Sequence, residues 1–148
     1  REVGIRVLGE LIITLEVIKE MNKEVKVFKS AKCNELVLVL KDDDGNLACC
    51  GEPMKLLKAN TTDAANEKHV PVATVNGNVV DVVVGSVEHP MTEEHLVEFI
   101  YLETEKGGQI RYLNHTDAPK ASFVLAEGDK AVAVYEYCNL HGLWKVEL

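Results

Sequence analysis

Hydrophobic positions along this chain change period near residue 21. In the first twenty residues Ile5, Leu8, Ile12 and Leu15 recur at the three-to-four spacing of an amphipathic helix, with Arg6, Glu10, Glu16 and Lys19 largely off that stripe. The pattern predicts either one short helix or an extension, residues 1–21, outside a fold that begins near Met21. From Asn22 the runs become short and β-type: Val25 to Phe28, Leu36 to Leu40 and Leu47 to Cys50, with an Asp42-Asp43-Asp44-Gly45-Asn46 turn before the last. Residues 22–58 therefore predict a small hairpin module. Leu56 to Asn66 is mixed and polar, as a linker would be. Residues 59–148 then carry six strand candidates: Val79 to Val84, Leu96 to Glu103, Gln109 to Leu113, Ala121 to Ala126, Ala131 to Tyr137 and Leu143 to Leu148. Turn signals separate them, and Lys106-Gly107-Gly108 predicts a hairpin of the second and third. The expected fold is all-β, an antiparallel sandwich preceded by a small hairpin domain.

Composition supports a folded chain, since 47% of its 148 residues are hydrophobic and 27% charged. Twenty-four acidic against sixteen basic residues give a net charge of -8, which argues against nucleic acid or an anionic membrane as partner. An anionic substrate would need a local cation. No run of eighteen apolar residues occurs, and Arg1 to Glu20 lacks both a clean apolar stretch and a small-residue cleavage site, so a cytoplasmic location is the expectation. Four cysteines in such a setting suggest thiols or metal ligands more than a disulfide framework.

The candidate chemistry lies in the histidines. Of five, His69, His89, His95 and His141 fall in loops or at strand ends, while His115 sits in a polar turn. Cys138 precedes His141 by three residues, a spacing at which thiolate and imidazole can reach one ion. Taken singly, each is an ordinary surface histidine or core cysteine. Pro71 and Pro90, however, restrict Val70 and His89 to extended backbone, fixing the loops where a ligand set would need them. Were all five donors to converge, the count would exceed the four at which structural zinc almost always stops, and imidazoles with one thiolate suit iron.

Four segments carry a specific resemblance: Glu67-Lys68-His69-Val70-Pro71-Val72, Gly85-Ser86-Val87-Glu88-His89-Pro90-Met91, Glu94-His95 and Tyr137-Cys138-Asn139-Leu140-His141-Gly142. In order and spacing they resemble the superoxide reductase family, also called neelaredoxins and desulfoferrodoxins. The resemblance spans about residues 22–148 and implies an immunoglobulin-like sandwich whose loops hold one mononuclear iron. It also implies His69, His89, His95 and His141 as equatorial ligands and Cys138 as the axial one, with His141 binding through Nδ1 and the others through Nε2. Lys68 would attract superoxide and organise water near it, and Glu67 would ligate the oxidised iron after turnover. The implied reaction is one-electron reduction of superoxide to hydrogen peroxide, fed by a rubredoxin-like donor in a homodimer or higher assembly. The rival reading is a non-catalytic iron-binding or electron-transfer module.

One departure stands out. Residues 22–58 resemble a desulforedoxin-like domain, where a Cys-x-x-Cys pair and a later vicinal cysteine pair hold a second iron. Here Ser30-Ala31-Lys32-Cys33 and Cys49-Cys50 leave one thiolate missing. Serine oxygen is a poor ligand in a soft tetrathiolate site, so Cys33, Cys49 and Cys50 form a degenerate site whose iron is expected to be absent or altered.

Overall fold

The computed structural model describes residues 25–148, so the expectation of an extension or helix over residues 1–21 lies outside the described residues. The chain divides into two compact units that part between Leu56 and Leu57.

In the first unit, β1 (Val27–Lys29) is the middle strand of a small sheet, flanked by β2 (Leu36–Leu38) and β5 (Lys55–Leu56). A second ribbon pairs β3 (Ala48–Cys49) with β4 (Glu52–Pro53). Its two-residue turn, Cys50-Gly51, has φ of 53° and 78°. Positive φ at both positions gives a turn whose twist matches that of the flanking strands, and glycine meets it without strain. An ion pair of Lys26 with Asp42 ties the acidic loop to the first strand.

The second unit is the immunoglobulin-like sandwich. It opens with one helical turn, α1 (Asn66–His69), and continues through β6 (Pro71–Asn76), β7 (Val79–Val84), β8 (Val97–Thr104), β9 (Gly107–Tyr112), β10 (Lys120–Val124), β11 (Ala131–Cys138) and β12 (Gly142–Glu147). One sheet runs β10-β7-β6 and the other β12-β11-β8-β9, all antiparallel. Valine alternation on β7 decides which face is inside: Val80, Val82 and Val84 are buried against Ile100, Leu102, Phe123 and Val134, while Asp81 and Val83 face outward. On β11 burial is continuous from Ala133 to Cys138. As an inner strand it points Val134, Glu136 and Cys138 to the core, and Tyr137 on its other face stacks on Phe99, with ring centroids 5.7 Å apart.

The strand candidates of the sandwich all appear, with two adjustments. The β8–β9 hairpin turns at Glu105-Lys106, and Gly107 already pairs with Thr104. An additional strand, β6, lies in a stretch not marked by hydrophobic alternation. Only Pro71 of its residues is buried, as befits an edge strand that starts with proline. The polar stretch before α1 is also anchored: Asn60 accepts from Lys145 N through Oδ1 (2.8 Å) and donates to Lys145 O through Nδ2 (3.0 Å), mimicking a strand partner of β12.

Candidate metal centre

Register places the start of β6, the end of β7, the start of β8 and the β11–β12 turn at one end of the sandwich, because Pro71 pairs with Val84 and Cys138 with both Val97 and Gly142. The candidate ligands occupy these ends.

His69 closes α1, and Val70 leaves the helix extended (φ -65°, ψ 121°), as a residue before proline must. The turn is held from outside by the loop after β7. Val87 N donates to Glu67 O (2.9 Å), and Gly85 N donates to Val70 O (3.2 Å). Gly85 has φ of 82°, and a β-carbon there would run into the Val87 carbonyl and lie 2.7 Å from Glu67 O and 2.8 Å from the Lys68 carbonyl carbon. Glycine is thus required twice over, by its backbone conformation and by the close approach. His95 is set by Thr92, whose Oγ1 accepts from His95 N (3.0 Å). Asn139 joins this loop to the β11–β12 turn: its Oδ1 accepts from Leu96 N (3.0 Å) and its Nδ2 donates to Glu94 O (2.9 Å).

The four imidazoles form a closed square. Going round it, ring centroids are 4.8 Å apart for His69 and His89, 4.8 Å for His89 and His95, 5.0 Å for His95 and His141, and 4.8 Å for His141 and His69. Each neighbouring pair is steeply crossed, between 75° and 90°, while the diagonal pair His69 and His95 is 6.4 Å apart and only 30° from parallel. Ligand atoms of His69, His95, Cys138 and His141 lie within 4.8 Å of one another, and His89 completes the ring from the corner opposite His141.

Hydrogen bonds decide which nitrogen faces inward. His69 Nδ1 lies 2.8 Å from Ala65 O and His89 Nδ1 lies 2.6 Å from Pro90 O. A carbonyl only accepts, so each Nδ1 carries the proton and each Nε2 presents a lone pair. The buried Nε2 atoms of His89 and His95 have no hydrogen-bond partner among the described residues. His69 Nε2 stands 3.0 Å from His141 Nδ1, and Cys138 Sγ 3.8 Å from the same nitrogen. With metal–nitrogen bonds of about 2.1 Å, adjacent corners of a square or octahedron are about 3.0 Å apart. Converging inward lone pairs, two of them without a partner among the described residues, are what a cation would satisfy.

Burial lowers the pKa of His69 and His95, and that of His89 to about 4, so these rings are neutral at physiological pH, the state in which imidazole binds metal. Burial raises the Cys138 thiol, so its thiolate needs a cation beside it. Four imidazoles and one sulfur suit one iron, and the described residues fit it here.

Sequence reasoning had assigned no role to three residues that the structure places at this site. Trp144 stacks on His69 at 4.9 Å and donates from Nε1 to His141 O (3.1 Å). Asn139 is the clamp just described. Glu136 is wholly buried on the same strand face as Cys138; neither carboxyl oxygen has a partner among the described residues, and burial pushes its pKa up to about 9. The available signals were the lone tryptophan three residues after His141 and a carboxylate inside an apolar strand. His115 is apart from the square, paired with Glu93 at 3.6 Å.

The first unit gathers its cysteines as well. Cys33 Sγ is 3.6 Å from Cys49 Sγ, which is 3.7 Å from Cys50 Sγ. Ser30 stands beside them, so the second site is partial: three thiols and a hydroxyl. Among the described residues no helix is long and apolar enough to cross a membrane.

Fold and site together define an immunoglobulin-like sandwich protein in which four imidazoles and one thiol gather at a site suited to one iron. Comparison with known proteins narrows this. Residues 61–147 match the Desulfoferrodoxin family and residues 22–57 the Desulfoferrodoxin N-terminal domain. A desulfoferrodoxin of Nitratidesulfovibrio vulgaris is 47% identical over 127 residues, covering 86% of this chain and 99% of its own length. A superoxide reductase of Pyrococcus horikoshii is 35% identical over 103 residues, 58% of this chain and 90% of its own. The crystal structure of the superoxide reductase from Treponema pallidum matches with a TM-score of 0.72 at 38% identity, over 84% of this chain and all of that one. The chain belongs to the desulfoferrodoxin family.

Proposed function

We propose that this protein reduces superoxide, with one electron and two protons, to hydrogen peroxide at an iron held by His69, His89, His95, His141 and Cys138. The observation that carries the reading is the square of imidazoles with Nε2 or Nδ1 turned inward and Cys138 sulfur beside it. When bound, iron supplies the one-electron couple, tuned by the thiolate. The chain supplies the rest. Its four imidazoles would hold the iron, and Cys138 would supply the thiolate. Glu67 and Lys68 are exposed on α1, directly before buried His69. Lys68 stands one residue before His69 on the turn that presents that ring, where an incoming anion would meet its charge. Glu67 offers a carboxylate on the same turn. Similarity to the superoxide reductases of P. horikoshii and T. pallidum supports superoxide as substrate.

The electron comes from outside, since the partial site in the first unit lacks a thiolate; a rubredoxin-like donor and a homodimer or higher assembly fit this reading. The test is metal analysis of the purified protein with an optical spectrum and stopped-flow mixing with superoxide. One iron per chain, a thiolate-to-iron charge-transfer band in the oxidised form and rapid superoxide loss without dioxygen release are expected. Stoichiometric zinc with no visible band would overturn the reading.

A further inference from the structure

The three thiols of the first unit stand on two turns. Ser30 to Cys33 forms the first, closed by Ser30 N donating to Glu35 O (3.0 Å), and Cys49 to Glu52 forms the second. Lys32 and Glu52 join the turns by an ion pair of 3.1 Å. Ser30 is only 5% exposed, and its Oγ accepts from the backbone N–H of Lys32 (3.1 Å) and of Cys33 (3.2 Å). The hydroxyl keeps one proton to donate on the turn that carries Cys33. A thiolate at position 30 would be a fourth electron-pair donor to a metal. A hydroxyl there is a proton donor to a neighbouring thiolate instead, which changes the chemistry of the cluster from ligation to nucleophilic activation.

We propose that Cys33 and Cys49 are a peroxide-sensitive modification site that closes reversibly to a disulfide. The Cys33 thiolate attacks one oxygen of hydrogen peroxide; the O–O bond breaks, Cys33 becomes a sulfenic acid, and hydroxide leaves to take up a proton as water. Cys49 then attacks the sulfenic sulfur, the S–O bond breaks, and a second water departs as the S–S bond forms. Two thiols lose two electrons and one peroxide gains them. Thiol–disulfide exchange with an external dithiol reverses the change. The source of the peroxide rests on the proposed reductase activity, of which it is the product.

Geometry selects the pair. Cys33 and Cys49 sulfurs, on separate turns, need to close from 3.6 Å to about 2.05 Å. Cys49 and Cys50 are adjacent, and bridging them would strain the peptide between them. Position points the same way: Ser30 is anchored on the Cys33 turn, its Oγ 3.2 Å from Cys33 N, and not on the turn of Cys49 and Cys50. The attacking sulfur is therefore Cys33.

The test adds stoichiometric hydrogen peroxide to the purified, iron-loaded full chain, then alkylates the remaining thiols after denaturation and maps the peptides by mass. A Cys33–Cys49 cross-link within one chain is expected, with Cys50 and Cys138 still alkylated. Cys49→Ala should leave Cys33 as a sulfenic acid trapped by a cyclic dione, and Ser30→Ala should slow Cys33 oxidation several-fold. Unreacted thiols, a bond through Cys50, a chain-to-chain disulfide, or a second metal shielding all three sulfurs would overturn the proposal. Because reagent peroxide is added directly, a protein that fails to reduce superoxide could still pass this test, and the reverse holds equally.

Discussion

The His69 imidazole lies on the Trp144 indole, centroids 4.9 Å apart and planes 26° from parallel, while the indole N–H holds the His141 carbonyl. One buried ring thus backs two neighbouring corners of the square. Trp144→Ala should cost about 3–5 kcal/mol of stability from lost burial, and also lower iron content. Trp144→Phe keeps the stack and loses the hydrogen bond, so it should recover most of the stability. Denaturant midpoints with iron analysis of both variants check this.

Gly85→Ala puts a β-carbon into the backbone of Glu67 and Lys68. The left-handed conformation alone costs about 1–2 kcal/mol. The collision should further displace α1, so superoxide reactivity should fall more than stability does. Parallel kinetics and thermal melts distinguish this from simple destabilisation.

Replacing Cys138 by Ser should abolish reductase activity even where iron remains, since the thiolate tunes the metal as well as binding it. The charge-transfer band should vanish with it. Turnover near the wild-type rate would show that Cys138 is not an iron ligand.

Lys68→Ala should slow the bimolecular reaction with superoxide about tenfold or more, equivalent to roughly 1.4 kcal/mol of barrier, and flatten its decline with salt. A chain of net charge -8 repels the substrate at long range, but surface acids beyond the Debye length of about 8 Å are largely screened. Pulse radiolysis across a salt series, at unchanged iron content, is the measurement.

Ser30→Cys should restore a fourth thiolate and bring iron toward two per chain with a tetrathiolate spectrum. Sulfurs committed to that metal should also resist peroxide, in contrast to the free thiols of the parent protein. Iron quantification before and after peroxide treatment reads both effects.

Most of the sandwich was legible because β7, β8 and β11 carry long apolar runs that only a buried strand explains. β6 was not, since an edge strand facing solvent shows no such run. The four histidines and Cys138 were legible through their motifs, with Pro71 and Pro90 marking fixed backbone. Trp144, Asn139 and Glu136 were not: their roles depend on partners such as Leu96 and His69, which only the folded register brings near. Ser30 was legible as a missing ligand, whereas the hydrogen bond its Oγ accepts from Cys33 N required the turn itself.

His69 and His141 are 72 positions apart, yet their ligand nitrogens lie 3.0 Å from each other. No short segment could hold them so, and the sandwich core of Val80, Val82, Ile100 and Phe123 closes without using any of the five donors. Chain collapse is therefore expected to precede metal capture. The site would then be a prebuilt receptacle, unlike a zinc finger, whose polypeptide is disordered until its ion binds. Such an ion raises the melting temperature by mass action, since it binds the native state alone. Stripping it should leave a β-sandwich that is cooperative on heating but melts lower, and that recovers its former midpoint when ferrous iron is restored.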